Sequence, residues 1–303
     1  MVRKLLFGSL FLLFVVTILG AGEPRSLRII SVESMKDGIY AIASVEFPKT
    51  WSDPGFTVEV DGKPVRMRQV SGGFSQDRNM ADLMFMPGKA AKQSVAVKCI
   101  VGGKKVEARS SLDWTPVPLV TILGHTGDRE IITAREKLTI ALVNVTGVKV
   151  FFNGKEVYAR PSAGDIPTLS FDPAWKKGKN VLTINADKGD GGMIVKNLTF
   201  LDVTDGGMLP LGQSALLYFG REGTKSGPIY DVKVEGDSIA LLQGARVRRD
   251  VIDREGWLVS ESWVAAELKA RKEGTSKVRI FVKHHFLQNM ELEKEFSITV
   301  GEP

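Results

Sequence analysis

A short phrase that occurs twice constrains this chain more than any other feature. Phe56-Thr57-Val58-Glu59-Val60-Asp61-Gly62-Lys63-Pro64-Val65 returns as Val148-Lys149-Val150-Phe151-Phe152-Asn153-Gly154-Lys155-Glu156-Val157. Each copy reads as an alternating strand, a two-residue turn and a second strand. Asp-Gly and Asn-Gly suit the type I′ hairpin, whose two central residues both need φ > 0. The copies lie about 90 residues apart, the length of one β-sandwich domain. A second correspondence runs from Met86 to Val97 and from Asp172 to Ile184, where a turn with Gly and Lys leads into an alternating strand. Repetition at two places predicts modules in tandem.

The first residues differ in kind. Arg3 and Lys4 precede an apolar run, Leu5 to Leu19, that ends in Gly20-Ala21-Gly22. A basic start, a short apolar stretch and small residues at its end describe a secretory signal, and the run is short for a membrane span. Residues 1–22 are therefore expected to be a signal peptide or a retained anchor. Export permits disulfides, but Cys99 is the single cysteine, so no intramolecular bridge can form. Cys99 shares strand parity with Val95 and Val97 and is expected in a core. The domains must stand on packing alone.

The pattern of strands and turns divides the remainder into domains 23–114, 115–203 and 204–303. Trp114-Thr115-Pro116-Val117-Pro118 reads as a joint, since two prolines forbid helix through it. In the last domain Val264, Ala266, Leu268 and Ala270 alternate with Glu267 and Lys269. The final two strands allow a register expectation: Arg279 opposite Glu295, Val278 opposite Phe296, Val282 opposite Leu292 and Lys283 opposite Glu291. Lys294 breaks that pattern by landing on the apolar face, which signals an open edge or a bulge.

The phrase V-x-V-D/N-G-K-x-V, followed by a Gly-containing loop and a V-x-V-like strand, resembles bacterial immunoglobulin-like (Big-type) domains over about residues 25–203. Gly236-Asp237-Ser238-Ile239-Ala240, Leu268-Lys269-Ala270 and Gly274-Thr275 before a V-x-I-x-V strand are similar to the immunoglobulin-like repeats of bacterial adhesins. The last domain also resembles the chagasin-type inhibitors of cysteine proteases. Thr224 to Tyr230 and His284-His285-Phe286 fall near two of that family's loops, without its Asn-Pro pair or Arg-Pro-Trp run. The resemblance implies an all-β fold of tandem immunoglobulin-like β-sandwich domains after the N-terminal segment. It implies spacers, adhesion modules or appendages of exported enzymes.

Signatures of catalysis are mostly absent. Neither Gly-x-Ser-x-Gly nor His-Glu-x-x-His occurs. Gly220 to Ser226 lacks the spacing of a phosphate loop. Asp187 to Gly192 reads as a turn, because Leu198 stands where a calcium loop needs its closing acid. His125 and the adjacent His284 and His285 read as surface histidines. Arg246, Arg248 and Arg249, followed by Asp250, Asp253 and Glu255, read as a solvated hairpin of mixed charge. The net charge of +6 is mild for a nucleic-acid binder.

These readings lead to a non-catalytic exported envelope protein, without cofactor or metal, that acts as an adhesion, spacer or binding module. Its expected partner is a protein or an envelope polysaccharide, with membrane contact only through an uncleaved N-terminal segment. The expected binding loop is His284, His285, Phe286 and Leu287, which places aromatic and apolar groups at a hairpin tip. The alternatives are a protease-inhibitor-like role of the third domain, or an accessory module of an exported enzyme system.

Overall fold

The computed structural model describes residues 26–35, 38–52, 54–74, 78–125, 131–133, 135–162, 166–202, 208–221, 228–284 and 289–301. The expected signal segment lies outside them, as do His285, Phe286 and Leu287. Among the described residues the only regular elements are strands, and the chain divides into two compact units after Val117.

The first unit holds β1 (Arg28–Ser34), β2 (Ala41–Pro48), β3 (Thr57–Val60), β4 (Lys63–Val65), β5 (Met67–Phe74), β6 (Arg78–Phe85), β7 (Lys92–Val101) and β8 (Lys104–Asp113). They form two sheets, β1-β2-β6-β5 and β4-β3-β7-β8. Lettered A, B, C, C′, D, E, F and G along the chain, these are the A-B-E-D and C′-C-F-G sheets of an immunoglobulin-like sandwich. Period-2 alternation sends Ala41, Ala43, Val45 and Phe47 of β2 and Val95, Val97 and Cys99 of β7 into one core with Leu83, Phe85 and Trp114. Each large side chain buried there contributes about 1.5–3 kcal/mol. Cys99 is buried, and desolvation pushes its thiol pKa up.

The second unit begins with β9 (Leu119–Ile122), β10 (Ile131–Thr133), β11 (Leu138–Val143), β12 (Gly147–Phe152), β13 (Lys155–Glu156), β14 (Arg160–Ser162), β15 (Thr168–Phe171), β16 (Gly178–Asp187) and β17 (Met193–Asp202). The plan repeats: β14-β15-β11-β9 is D-E-B-A, and β13-β12-β16-β17 is C′-C-F-G. A third sandwich follows from β18 (Met208–Pro210), β19 (Ser214–Arg221), β20 (Ile229–Glu235), β21 (Ile239–Ile252), β22 (Leu258–Ala270), β23 (Gly274–Lys283) and β24 (Glu291–Gly301). Its sheets are β18-β24-β23-β20 and β19-β22-β21.

The duplicated turns take the form their residues dictate. Asp61 and Gly62 have φ of 50° and 76°, and Asn153 and Gly154 have 52° and 76°. Both are type I′ hairpins. The side chains do a second job. Asp61 Oδ1 accepts the amide of Ser94 at 2.8 Å, and Asn153 Oδ1 accepts the amide of Val181 at 3.0 Å, so each turn is tied to the F strand beside it. One residue earlier on that strand a buried amide pins the preceding bend: Gln93 in the first sandwich, Asn180 in the second.

The expected register of β23 and β24 holds for Arg279 with Glu295 and Val278 with Phe296. It then slips, pairing Phe281 with Leu292 and Val282 with Glu291. A bulge at Glu293 absorbs one residue, so the expected pairs Val282–Leu292 and Lys283–Glu291 do not form. The slip turns Leu292 outward, where it is exposed.

Candidate functional site

Of the expected binding loop, only His284 is described. It is exposed and directly follows the end of β23. The Asp187–Gly192 turn spends its carboxylates on its own backbone: Asp187 Oδ1 accepts the Gly189 amide at 2.7 Å, and Asp190 Oδ1 accepts the Gly192 amide at 2.8 Å. Among the described residues no group of three His, Cys, Asp or Glu side chains could hold a metal ion.

The most built polar cluster lies where the second and third sandwiches meet. β10 is only three residues long, yet it pairs in parallel with β17 on one side and β19 on the other. It thereby fuses β13-β12-β16-β17 and β19-β22-β21 into one eight-stranded sheet. Adjacent residues on a strand point to opposite faces. Ile131 and Phe200 accordingly enter the second core, while Ile132 and Leu201 enter the third. Tyr218 and Phe219 of β19 divide in the same way. Arg135, just after β10, pairs at 2.9 Å with Asp202, which is completely buried.

The β21–β22 hairpin reaches back over this junction. Its strands span 14 and 13 residues. Asp253 Oδ1 shapes the turn by accepting the amides of Glu255 and Trp257. Near the tip, Asp250 Oδ2 accepts from Thr121 Oγ1 at 2.7 Å, and the Asp250 carbonyl accepts the Gly124 amide at 2.8 Å. The Arg249 guanidinium carbon lies 4.1 Å from the Trp263 ring centroid and 4.8 Å from that of Tyr218. Such cation–π contacts gain strength when desolvated. Burial lowers the Arg249 pKa, against the fields of Tyr218, Glu136 and Glu261. Gly124 has φ of 80°, which calls for glycine, and a Cβ there would stand 2.6 Å from an Arg249 terminal nitrogen.

His125 follows Gly124 and is 5% exposed, not a surface histidine. Its ring meets Phe200 edge-on at 5.1 Å, and its Nε2 is 3.4 Å from Glu136. Burial first, and the charge of Arg249 second, push its pKa down to about 3. Arg249 likewise departs from the solvated hairpin expected for it. Both departures share a cause. The covering groups arrive by strand pairing, from β17 and β19 for His125 and from β19 and the hairpin partner β22 for Arg249.

No family model matches the sequence, and no curated protein matches it. Among solved structures, the chain is similar to titin domains Z1Z2 in complex with telethonin, at 16% identity over 59% of this chain and 94% of that one, with a TM-score of 0.21. It is also similar to Drosophila OTK extracellular domains 3–5, at 10% identity over 92% and 98%, with a TM-score of 0.26. A third is dimeric latent PorU from Porphyromonas gingivalis, at 12% identity over 91% of this chain and 32% of that one, with a TM-score of 0.30. At these scores the immunoglobulin-like assignment rests on the strand order, not on superposition.

Proposed function

We propose that this chain is an exported, non-catalytic module of the bacterial envelope. It is built of Big-type immunoglobulin-like units 23–114, 115–203 and 204–303 behind a signal or anchor at 1–22, and it holds a binding loop at a set distance. The observation that carries this reading is the sheet shared through β10. A joint made of backbone hydrogen bonds, with apolar residues on both faces, removes the freedom a plain linker would leave. A stiff pair of sandwiches suits spacing and presentation, and loops at sandwich ends are where recognition is carried on rigid scaffolds. The loop of the proposal is His284-His285-Phe286-Leu287, and its partner is an envelope polysaccharide or protein.

Two measurements test this. The mass of the mature N-terminus from fractionated cells should show loss of about the first 22 residues, or an intact chain in the membrane fraction; recovery of the intact chain from cytosol refutes export. Co-sedimentation with purified envelope polysaccharide and with envelope membranes should weaken at least tenfold for Phe286→Ala. Equal sedimentation of variant and parent removes that loop from the proposal.

A further inference from the structure

We propose that the contact between the turn after β9 and the tip of the β21–β22 hairpin is an acid-releasable latch: protonation of His125 undocks the hairpin tip from the second sandwich. The inference is independent of the binding loop and of export.

Among the described residues, holding points of the latch converge on Asp250 and Arg249. Gly124 and Thr121 both bind Asp250. Arg249 packs over Gly124 and stacks on Tyr218 and Trp263. His125 sits beneath, its backbone amide on the Ile122 carbonyl and its ring against Phe200. Three buried atoms of this one cluster, His125 Nδ1, Arg249 Nε and Trp263 Nε1, have no hydrogen-bond partner among the described residues. Buried polar atoms left unsatisfied work against the docked state. The contact is thus held by two hydrogen bonds to Asp250 and by packing around polar groups that water would serve better.

The charged surroundings decide the sign. Glu136 faces His125 from the segment before β11, with its side chain about half exposed. Arg249 faces it from β21 and Tyr218 from β19; Asp250 of β21 is held by Thr121 and the Gly124 amide, and Glu261 of β22 acts through Arg249. On β17, Lys196 and Asp202 are held by the Val120 carbonyl and by Arg135. Asp128, Arg129 and Glu130 of its own segment lie outside the described residues. A half-exposed carboxylate is screened by water and offsets little. Burial and the neighbouring guanidinium therefore prevail, and the docked imidazole stays neutral. Undocked, it regains an ordinary pKa near 6.5. Because the open form alone takes up the proton, opening becomes easier as pH falls below that value. The opening equilibrium should rise about 30-fold between pH 7.5 and pH 5.

The test is hydrogen exchange of the Gly124 amide in the full chain at pH 7.5 and 5, corrected for intrinsic exchange, in the parent and in His125→Phe. The phenyl ring keeps the contact with Phe200 and cannot titrate. The parent should lose about 30-fold in protection and the variant less than threefold. The Val58 amide in the first unit serves as an unchanged reference. Protection that is independent of pH in the parent, or an equal loss in the variant, overturns the latch. If the variant does not fold, the proton NMR titration of His125 in the parent decides: no titration above pH 5 supports the latch, and an ordinary titration near 6.5 without opening refutes it.

Discussion

The first and second sandwiches solve one construction problem with different residues. In each, the I′ turn must be tied to the F strand, and the bend before that strand must have its backbone satisfied. The first uses Asp61 for the tie and Gln93 for the bend. Gln93 accepts the Gly88 amide and donates to the carbonyls of Gly88 and Ala90. The second uses Asn153 and Asn180. Asn180 accepts the Lys176 amide, donates to the carbonyls of Lys176 and Gly178, and also accepts from Asn153 Nδ2 at 2.9 Å. Asn153 couples turn and bend into one network through its Nδ2, whereas Asp61 has no such donor and both Gln93 Nε2 protons are spent on the Gly88 and Ala90 carbonyls. At the tie and the bend the copies share hydrogen-bond positions that different residues fill.

Removing the bend amides should have the largest effect. Asn180→Ala strands several buried backbone groups and should cost about 3–4 kcal/mol, against about 2–3 for Gln93→Ala. Denaturant unfolding followed by the tryptophans of each unit measures both; equal losses would dissolve the claimed network in the second sandwich. Next come the ties. Asn153→Ala loses two side-chain bonds and Asp61→Ala one, and both leave alanine at positive φ, so about 2 kcal/mol is expected for the first against about 1 for the second. The double change Asn153→Ala with Asn180→Ala should cost clearly less than the sum of the singles.

Gly62→Ala and Gly154→Ala should each cost about 1 kcal/mol and be indistinguishable. Both residues have φ of 76°, and no described atom comes within 4 Å of an added Cβ at either. A difference between them would mean that something besides backbone strain is measured.

The smallest effect concerns acid. On the first A-B-E-D face, Ser44 and Ser71 bond Asp82 and hold its carboxyl below the usual range, Ser44 contributing most. The same strands of the second sandwich carry hydroxyls instead, Thr139 with Ser170 and Ser162 with Thr168. A depressed carboxyl stabilises the fold above the unfolded pKa near 4, and that contribution is lost as pH falls through the folded value. Calorimetry between pH 5 and 3 should therefore show a small loss in the first unit that Asp82→Asn abolishes. Ser170→Ala should leave the second unit's pH profile as it was.

Legibility followed range. The I′ turns could be read because φ > 0 is a demand made by two adjacent residues on themselves. The inward positions of β2 and β7, and the burial of Cys99, could be read because period 2 is local. The bulge at Glu293 was half legible: Lys294 announced a break in alternation, but which residue is absorbed depends on β23. Gln93 and Asn180 could not be assigned, since their partners are ordinary backbone groups of a bend. The burial of His125 could not be read because its cover lies far off in sequence, and that of Arg249 because Trp263 and Tyr218 reach it only once β21, β22 and β19 share a sheet.

The amino-acid order by itself determined that strands form, where they turn and which of their faces are apolar, for these follow from torsional preference and alternation within a few residues. It did not determine that Ile131–Thr133 would weld two sheets together. Sheet edges pair through backbone N–H and C=O groups that every non-proline residue carries, so the sequence marks no edge as taken. Only the assembled fold brings β17 and β19 to either side of that short strand and gives its two isoleucines separate cores to fill.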